Sequence, residues 1–185
     1  MASAFAHALV ALAMGKTIKN RELGWRELGL GAFCSVLPDF DVMGFYFGIQ
    51  YGDLWGHRGM THSILFAVLL AGGLVALWYR GRPATAMAGL YLYFFFCTLS
   101  HGVLDAMTDG GLGVAFFSPF DTTRYFFPAR PVLVSPIGIG EFFSEYGARV
   151  LANEAVWIGL PSLALFLLLR GIQRLWPAKA VAPPS

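Results

Sequence analysis

The chain has 185 residues, 57% of them hydrophobic and only 13% charged, with a mean hydropathy of +0.61. A soluble domain carries roughly a quarter charged residues, so the composition excludes one and describes an integral membrane protein of single-domain size. A net charge of +2 excludes an electrostatically driven nucleic-acid binder.

Apolar runs fall at 2–15, 28–50, 63–79, 84–107 and 154–169. The first lacks a basic stretch ahead of it and contains His7, so it is expected as a retained helix rather than a cleaved signal. The second is interrupted by Pro38, Asp39 and Asp41. Only the last three runs approach the ~20 residues that a spanning helix needs. Short or broken segments at membrane depth are tolerated where protein buries them or where they line a polar cavity, so the first two are expected to wall a site. The pattern predicts an all-α fold, a polytopic membrane helix bundle of about 4–5 membrane helices. It forms one domain over 1–176, with a disordered tail, PAKAVAPPS, over 177–185. Cys34 and Cys97 stand singly in apolar runs without CxxC or zinc-finger spacing and are expected to pack as small hydrophobes.

With the N-terminus outside and five passes, the cytoplasmic segments hold nine basic residues, Lys16, Lys19, Arg21, Arg26, Arg80, Arg82, Arg170, Arg174 and Lys179. Four fall outside, Arg58, Arg124, Arg130 and Arg149. The positive-inside rule favours this orientation. It places the segment HRGMTHS (57–63), the end of the fourth helix and the loop 108–153 on the non-cytoplasmic side. That loop is too long for a plain connection. Its aromatics, Phe116, Phe117, Phe120, Tyr125, Phe126 and Phe127, alternate with Arg124 and Arg130, a mixture suited to the headgroup level.

All four histidines lie in or beside apolar runs, together with Asp39, Asp41, Asp105 and Asp109. Ionisable groups are costly at membrane depth and mark sites there, and the His/Asp mixture is the ligand set of zinc and related divalent ions. In HGVLD, His101 and Asp105 stand one turn apart on one helix face. In PDFDV, two aspartates flank one aromatic, a spacing that places one carboxylate on a metal and the other on its water or on an outer histidine. Each motif has an ordinary alternative: a helix-internal hydrogen bond for HGVLD, a cap for PDFDV and HRGMTHS, a satisfied core histidine for His7. Those alternatives leave unexplained why four separate segments each deliver such a residue at similar depth. The expected ligands are His7, Asp39, His62, His101 and Asp105, enough for one or two divalent ions, zinc first and manganese or magnesium next.

The pieces FAHALVALAMG, LPDFD, HRGMTHS and HGVLDAMTDGG, with the later SPF, RYFFP and SPIG, together resemble the YdjM-type family of predicted membrane-bound metal-dependent hydrolases. The resemblance runs from His7 to about Glu154. It implies a metal-dependent hydrolase of the bacterial inner membrane. More distantly, the order His7, an aspartate of PDFD, His62 and His101-x3-Asp105 is similar to the first ligands of zinc-dependent phospholipase C and P1 nuclease. No histidine follows His101, so that family's later ligands have no counterpart here.

The leading expectation is therefore a phosphoesterase, phospholipase C-like or a lipid phosphatase, whose substrate is a membrane lipid or lipid-linked phosphate. Asp41 or His57 would orient or deprotonate the attacking water, and Arg58 and Arg124 would hold phosphate. The alternatives are an intramembrane zinc amidase or esterase on acyl lipids, and a metal or proton transporter.

Overall fold

The structure, a computed structural model, describes residues 1–18 and 23–175. The expected tail 177–185, and Lys19, Arg21 and Lys179 of the charge count, lie outside the described residues. Five apolar helical stretches follow the five runs. α1 is Ala4–Thr17. α2 is Trp25–Val36 and passes without a break into a 3-10 helix over Leu37–Phe47. α3 is Ile64–Trp78 and α4 is Ala84–Ala106. α5 is a single turn, Ile139–Phe142. α6, Glu145–Glu154, continues through a π-helical stretch, Ala155–Gly159, into α7, Leu160–Leu175. No β-strand occurs among the described residues, only two isolated bridges.

Three stretches are long and apolar enough to cross a membrane: Trp25–Phe47, Ala84–Ala106 and Glu145–Leu175. At ~1.5 Å rise per residue, α4 alone exceeds the ~30 Å hydrocarbon thickness. α1 and α3, with 14 and 15 residues, fall short of it. Pro38 and the aspartates, expected as an interruption, instead mark a change of helix type. Pro38 sits in the first turn of the 3-10 segment, where its missing N–H ends the i→i−4 ladder of α2. The last helix is longer than the run 154–169, because Glu145–Glu154 precedes it as an amphipathic extension.

α1, α2 and α4 pack against one another, α3 packs on α4, and α7 packs on α1. Close approach depends on small residues, as expected where lipid removes the hydrophobic drive between helices. A Cβ at Gly31 of α2 would collide with the Tyr93 ring of α4. The Tyr93 hydroxyl donates to the Ala11 carbonyl of α1 at 3.2 Å, tying the three helices at one point. On α3, Ala67 and Ala71 are fully buried.

The ends of the helices are fastened by their own caps and by the two long loops. Ser3 caps α1 and Ser63 caps α3. The loop after α4 folds back over the bundle: the Ile64 N–H donates to Phe116 O at 2.9 Å, Ala115 N–H to Arg58 O at 3.0 Å and Phe127 N–H to Ala106 O at 2.9 Å. Val114, Ala115 and Val132 of that loop are buried. The loop whose aromatics were expected at the headgroup level thus covers the polar end of the bundle.

Candidate metal centre

Four side chains from three segments converge where the 3-10 helix, the turn Met60–His62 and the end of α4 meet. Asp39, His62, His101 and Asp105 are all buried, and each offers a ligand atom within 4.8 Å of the others. The His62 and His101 Nε2 atoms are 3.0 Å apart. Asp39 Oδ1 is 3.3 Å from His101 Nε2 and 3.7 Å from His62 Nε2. Asp105 Oδ2 is 3.6 Å from His62 Nε2 and 3.9 Å from His101 Nε2. A tetrahedral ion with bonds of ~2.0–2.1 Å separates its ligand atoms by ~3.3–3.4 Å, and the observed spacings bracket that value.

The tautomers are fixed from behind. His101 Nδ1 donates to the Ser35 carbonyl of α2 at 2.7 Å, which leaves Nε2 with a lone pair facing the centre. His62 Nδ1 faces Asp41 Oδ2 at 3.2 Å, which turns its Nε2 the same way. Two imidazole nitrogens facing each other at 3.0 Å need a proton or a metal ion between them. Both Asp39 oxygens are buried without a hydrogen-bond partner, and Asp105 Oδ2, likewise without one, has only its ion pair with Arg58 Nε at 3.1 Å. Buried carboxylate oxygens without hydrogen bonds beside facing lone pairs are what a cation resolves, so the residues present fit a divalent ion.

Asp41 stands one layer out. Its Oδ1 accepts from His57 Nδ1 at 2.7 Å, and its Oδ2 accepts from Thr61 Oγ1 at 2.7 Å and from the Arg58 N–H at 3.2 Å. It therefore orients His57 and His62 together, as a carboxylate behind a metal-ligating histidine does. His57 Nε2 remains buried and unpartnered. Burial lowers the pKa of His57, opposed by the hydrogen bond and charge of Asp41. For His62, burial also acts downward, but hydrogen bonds with Asp105, Asp39 and Asp41 raise its pKa to about 10.

His7 comes to the same place but not to the same point. It is fully buried, stacks on the His101 ring with centroids 3.8 Å apart, and has Nε2 3.5 Å from Asp105 Oδ1. Neither ring nitrogen has a hydrogen-bond partner. His7, expected as a fifth ligand, therefore stands beside the group of four converging atoms, against Asp105 and His101.

Arg58 and Arg124, expected to hold phosphate, are both engaged with the protein. Arg58 is fully buried, with Nε 3.1 Å from Asp105 Oδ2. Its two terminal nitrogens donate to Thr108 Oγ1 at 2.8 Å and Gly110 O at 2.9 Å. Its backbone adopts φ 63°, a left-handed conformation unusual for a side chain of this size. Arg124 donates to the His57 carbonyl at 2.9 Å and to the Tyr51 and Asp53 carbonyls. One guanidinium braces Asp105 and the other braces the loop carrying His57. Asp109, another acid of the apolar runs, accepts from the Val134 N–H instead of joining the cluster.

Three contributors escaped the sequence reading. The Ser35 carbonyl carries no motif, and a helix pairing between α2 and α4 was needed to find it; Thr108 lies within HGVLDAMTDGG, where nothing in the spacing marks its hydroxyl as a partner of Arg58. Glu154, buried at the junction of α6 and the π-helical stretch, did have a signal, an acid at the start of an apolar run.

The model of the family described as YdjM inner membrane protein matches residues 1–178. Inner membrane protein YbcI of Escherichia coli (strain K12) is 36% identical over 171 residues, covering 89% of this chain and 95% of that protein. No solved structure matches the chain. The chain belongs to the YdjM family, and its apolar helices fit a multi-pass inner membrane protein.

Proposed function

We propose that this YdjM-family protein is a metal-dependent hydrolase whose substrate is a membrane lipid or a lipid-linked group. The observation that carries the proposal is the pair of facing imidazole nitrogens, each fixed in tautomer from behind, between two carboxylates that turn buried oxygens without hydrogen bonds toward them. Asp39, His62, His101 and Asp105 would hold the ion. A bound divalent ion supplies a water of lowered pKa and a Lewis acid for the scissile group. Asp41 keeps the His62 and His57 rings in register, and Arg58 balances the charge of Asp105. His57 presents an unpartnered Nε2, suited to taking a proton from the attacking water.

The opposite half of the bundle is filled by Ala11, Leu28, Cys34, Leu90, Tyr93, Phe94 and Cys97. This supports a site open on one side rather than a transport path. The likeness in ligand order to zinc-dependent phospholipase C favours a phosphoester as the bond cleaved. The engagement of Arg58 and Arg124 with protein groups favours the second reading, an acyl ester or amide.

Mass spectrometry of a total lipid extract incubated with purified protein, with and without chelator, tests both. Chelator-sensitive release of a phosphate-bearing headgroup or inorganic phosphate supports the phosphoesterase, and fatty acid alone supports the acyl hydrolase. Absence of any product, with metal flux in proteoliposomes, overturns the hydrolase and promotes a transporter. The basic-residue distribution favours a non-cytoplasmic site. A cysteine placed in the loop 108–153, in a background without Cys34 and Cys97, should then react with an impermeant thiol reagent in cells with an intact inner membrane. Labelling only after the inner membrane is opened would reverse the orientation.

A further inference from the structure

The last helical element supplies no ligand, yet two adjacent residues of it fasten the two segments that carry the far side of the site. The Glu154 carboxylate, 4% exposed, accepts from the Ser3 N–H and from Ser3 Oγ, each at 2.5 Å. Ser3 is the cap of α1, one turn ahead of His7. Beside Ser3, the Ala2 N–H donates to Asp105 Oδ1 at 2.7 Å. Asn153 reaches the other segment: its Oδ1 accepts from the Leu133 N–H at 2.8 Å and its Nδ2 donates to the Pro131 carbonyl at 3.1 Å. Between these two, Val132 pairs with the chain just after α4, donating to Met107 O at 3.3 Å and accepting from the Asp109 N–H at 2.9 Å. Those residues follow Asp105 directly, and Thr108 among them donates to the Asp105 carbonyl and accepts from Arg58.

We propose that Glu154, with Asn153 beside it, is a positioning residue for the metal centre, setting the start of α1 and the end of α4 against each other. A buried carboxylate on an apolar helix is costly unless hydrogen-bonded. Here its two bonds go to the one residue that fixes where α1 begins. Displacing that start by part of a turn would move the His7 ring off His101 and the Ala2 N–H off Asp105. The π-helical stretch follows Glu154 immediately. Such insertions shift the register of a helix relative to its neighbours, so the packing of Ile158 with Ala2 and Ala6 and the Glu154 bond to Ser3 belong to two registers of one helix.

The inference rests on the metal-binding reading and is independent of which bond is hydrolysed. The test is zinc titration followed by thermal melting, on the full chain purified in detergent. Glu154→Ala should weaken apparent zinc affinity about 10–100-fold, the loss typical of removing a group that supports a metal site. Glu154→Gln keeps one acceptor for the Ser3 N–H, and the Ser3 hydroxyl can turn to accept from the new amide, so it should recover most of the affinity. Asn153→Ala should act in the same direction as Glu154→Ala. The two milder variants carry the test if Glu154→Ala does not fold. Equal falls in the melting temperatures of zinc-free and zinc-loaded protein, with unchanged zinc affinity, would make Glu154 a plain structural residue and overturn the inference alone. A wild-type protein whose melting is indifferent to zinc would overturn the metal reading and this inference with it.

Discussion

Cys97 and His101 stand one turn apart on α4, and that turn separates two regions built by the same three helices on different physics. Below it, α1, α2 and α4 close on Ala11, Leu28, Cys34, Leu90, Tyr93 and Phe94, held by shape and by small residues that allow backbones to approach. Above it, the same helices meet through His7, Ser35, His101 and Asp105, where each buried polar group must find a partner or a cation. The packed region tolerates a neighbour of similar volume. The polar region tolerates little, because removing one partner strands the others. Substitutions in the two regions should therefore separate stability from metal binding.

The largest effect is expected at Asp105, which faces Arg58, His62, His101 and His7 and accepts from the Ala2 N–H. Asp105→Asn leaves Arg58 buried without its counter-charge, and stability should fall by about 3–5 kcal/mol, read by thermal melting, with loss of bound metal. Asp41→Asn should weaken metal affinity about 10–100-fold in a protein that still folds, because the histidines lose the carboxylate that orients them; a titration of zinc into the metal-free protein measures this. On the packed side, Gly31→Ala drives a Cβ into the Tyr93 ring and should cost about 1–3 kcal/mol with zinc affinity retained. Cys97→Ala should cost about 1 kcal/mol and leave metal content unchanged, since Cys97 belongs to the apolar cluster.

A proton count sharpens the comparison from the polar side. With its pKa raised to about 10, His62 carries a proton in the metal-free protein at about pH 8, and a metal must displace it. Zinc binding at that pH should release close to one proton, measured by calorimetry in buffers of different ionisation enthalpy. A histidine at its ordinary value of about 6.5 would release almost none. The sign for stability follows: the His62 contribution to the metal-free protein is full below about pH 6.5 and fades as pH rises toward 10.

The sequence exposes the polar region better than the packed one. Histidines and aspartates in apolar runs are conspicuous because their burial is expensive, so Asp39, His62, His101 and Asp105 can be nominated before any helix is paired. Tertiary contacts decide the rest. That His7 stacks on His101 depends on how α1 packs against α4. Arg58 reads as a phosphate anchor from HRGMTHS alone, and only the return of the loop after α4 shows that Thr108 and Gly110 occupy its donors. The helix boundaries follow the hydropathy except at Pro38, where periodicity does not distinguish a stop from a change to 3-10 geometry, and at Glu145–Glu154, whose amphipathic pattern lies outside the apolar run.

Elemental analysis of the protein purified in detergent, beside a His62→Ala/His101→Ala variant, tests the central claim most directly. The wild-type protein should hold about one divalent ion per chain and the variant none above background, with both proteins folded by circular dichroism. A wild-type protein free of metal after reconstitution with zinc or manganese, or a variant that retains the full complement, would contradict it.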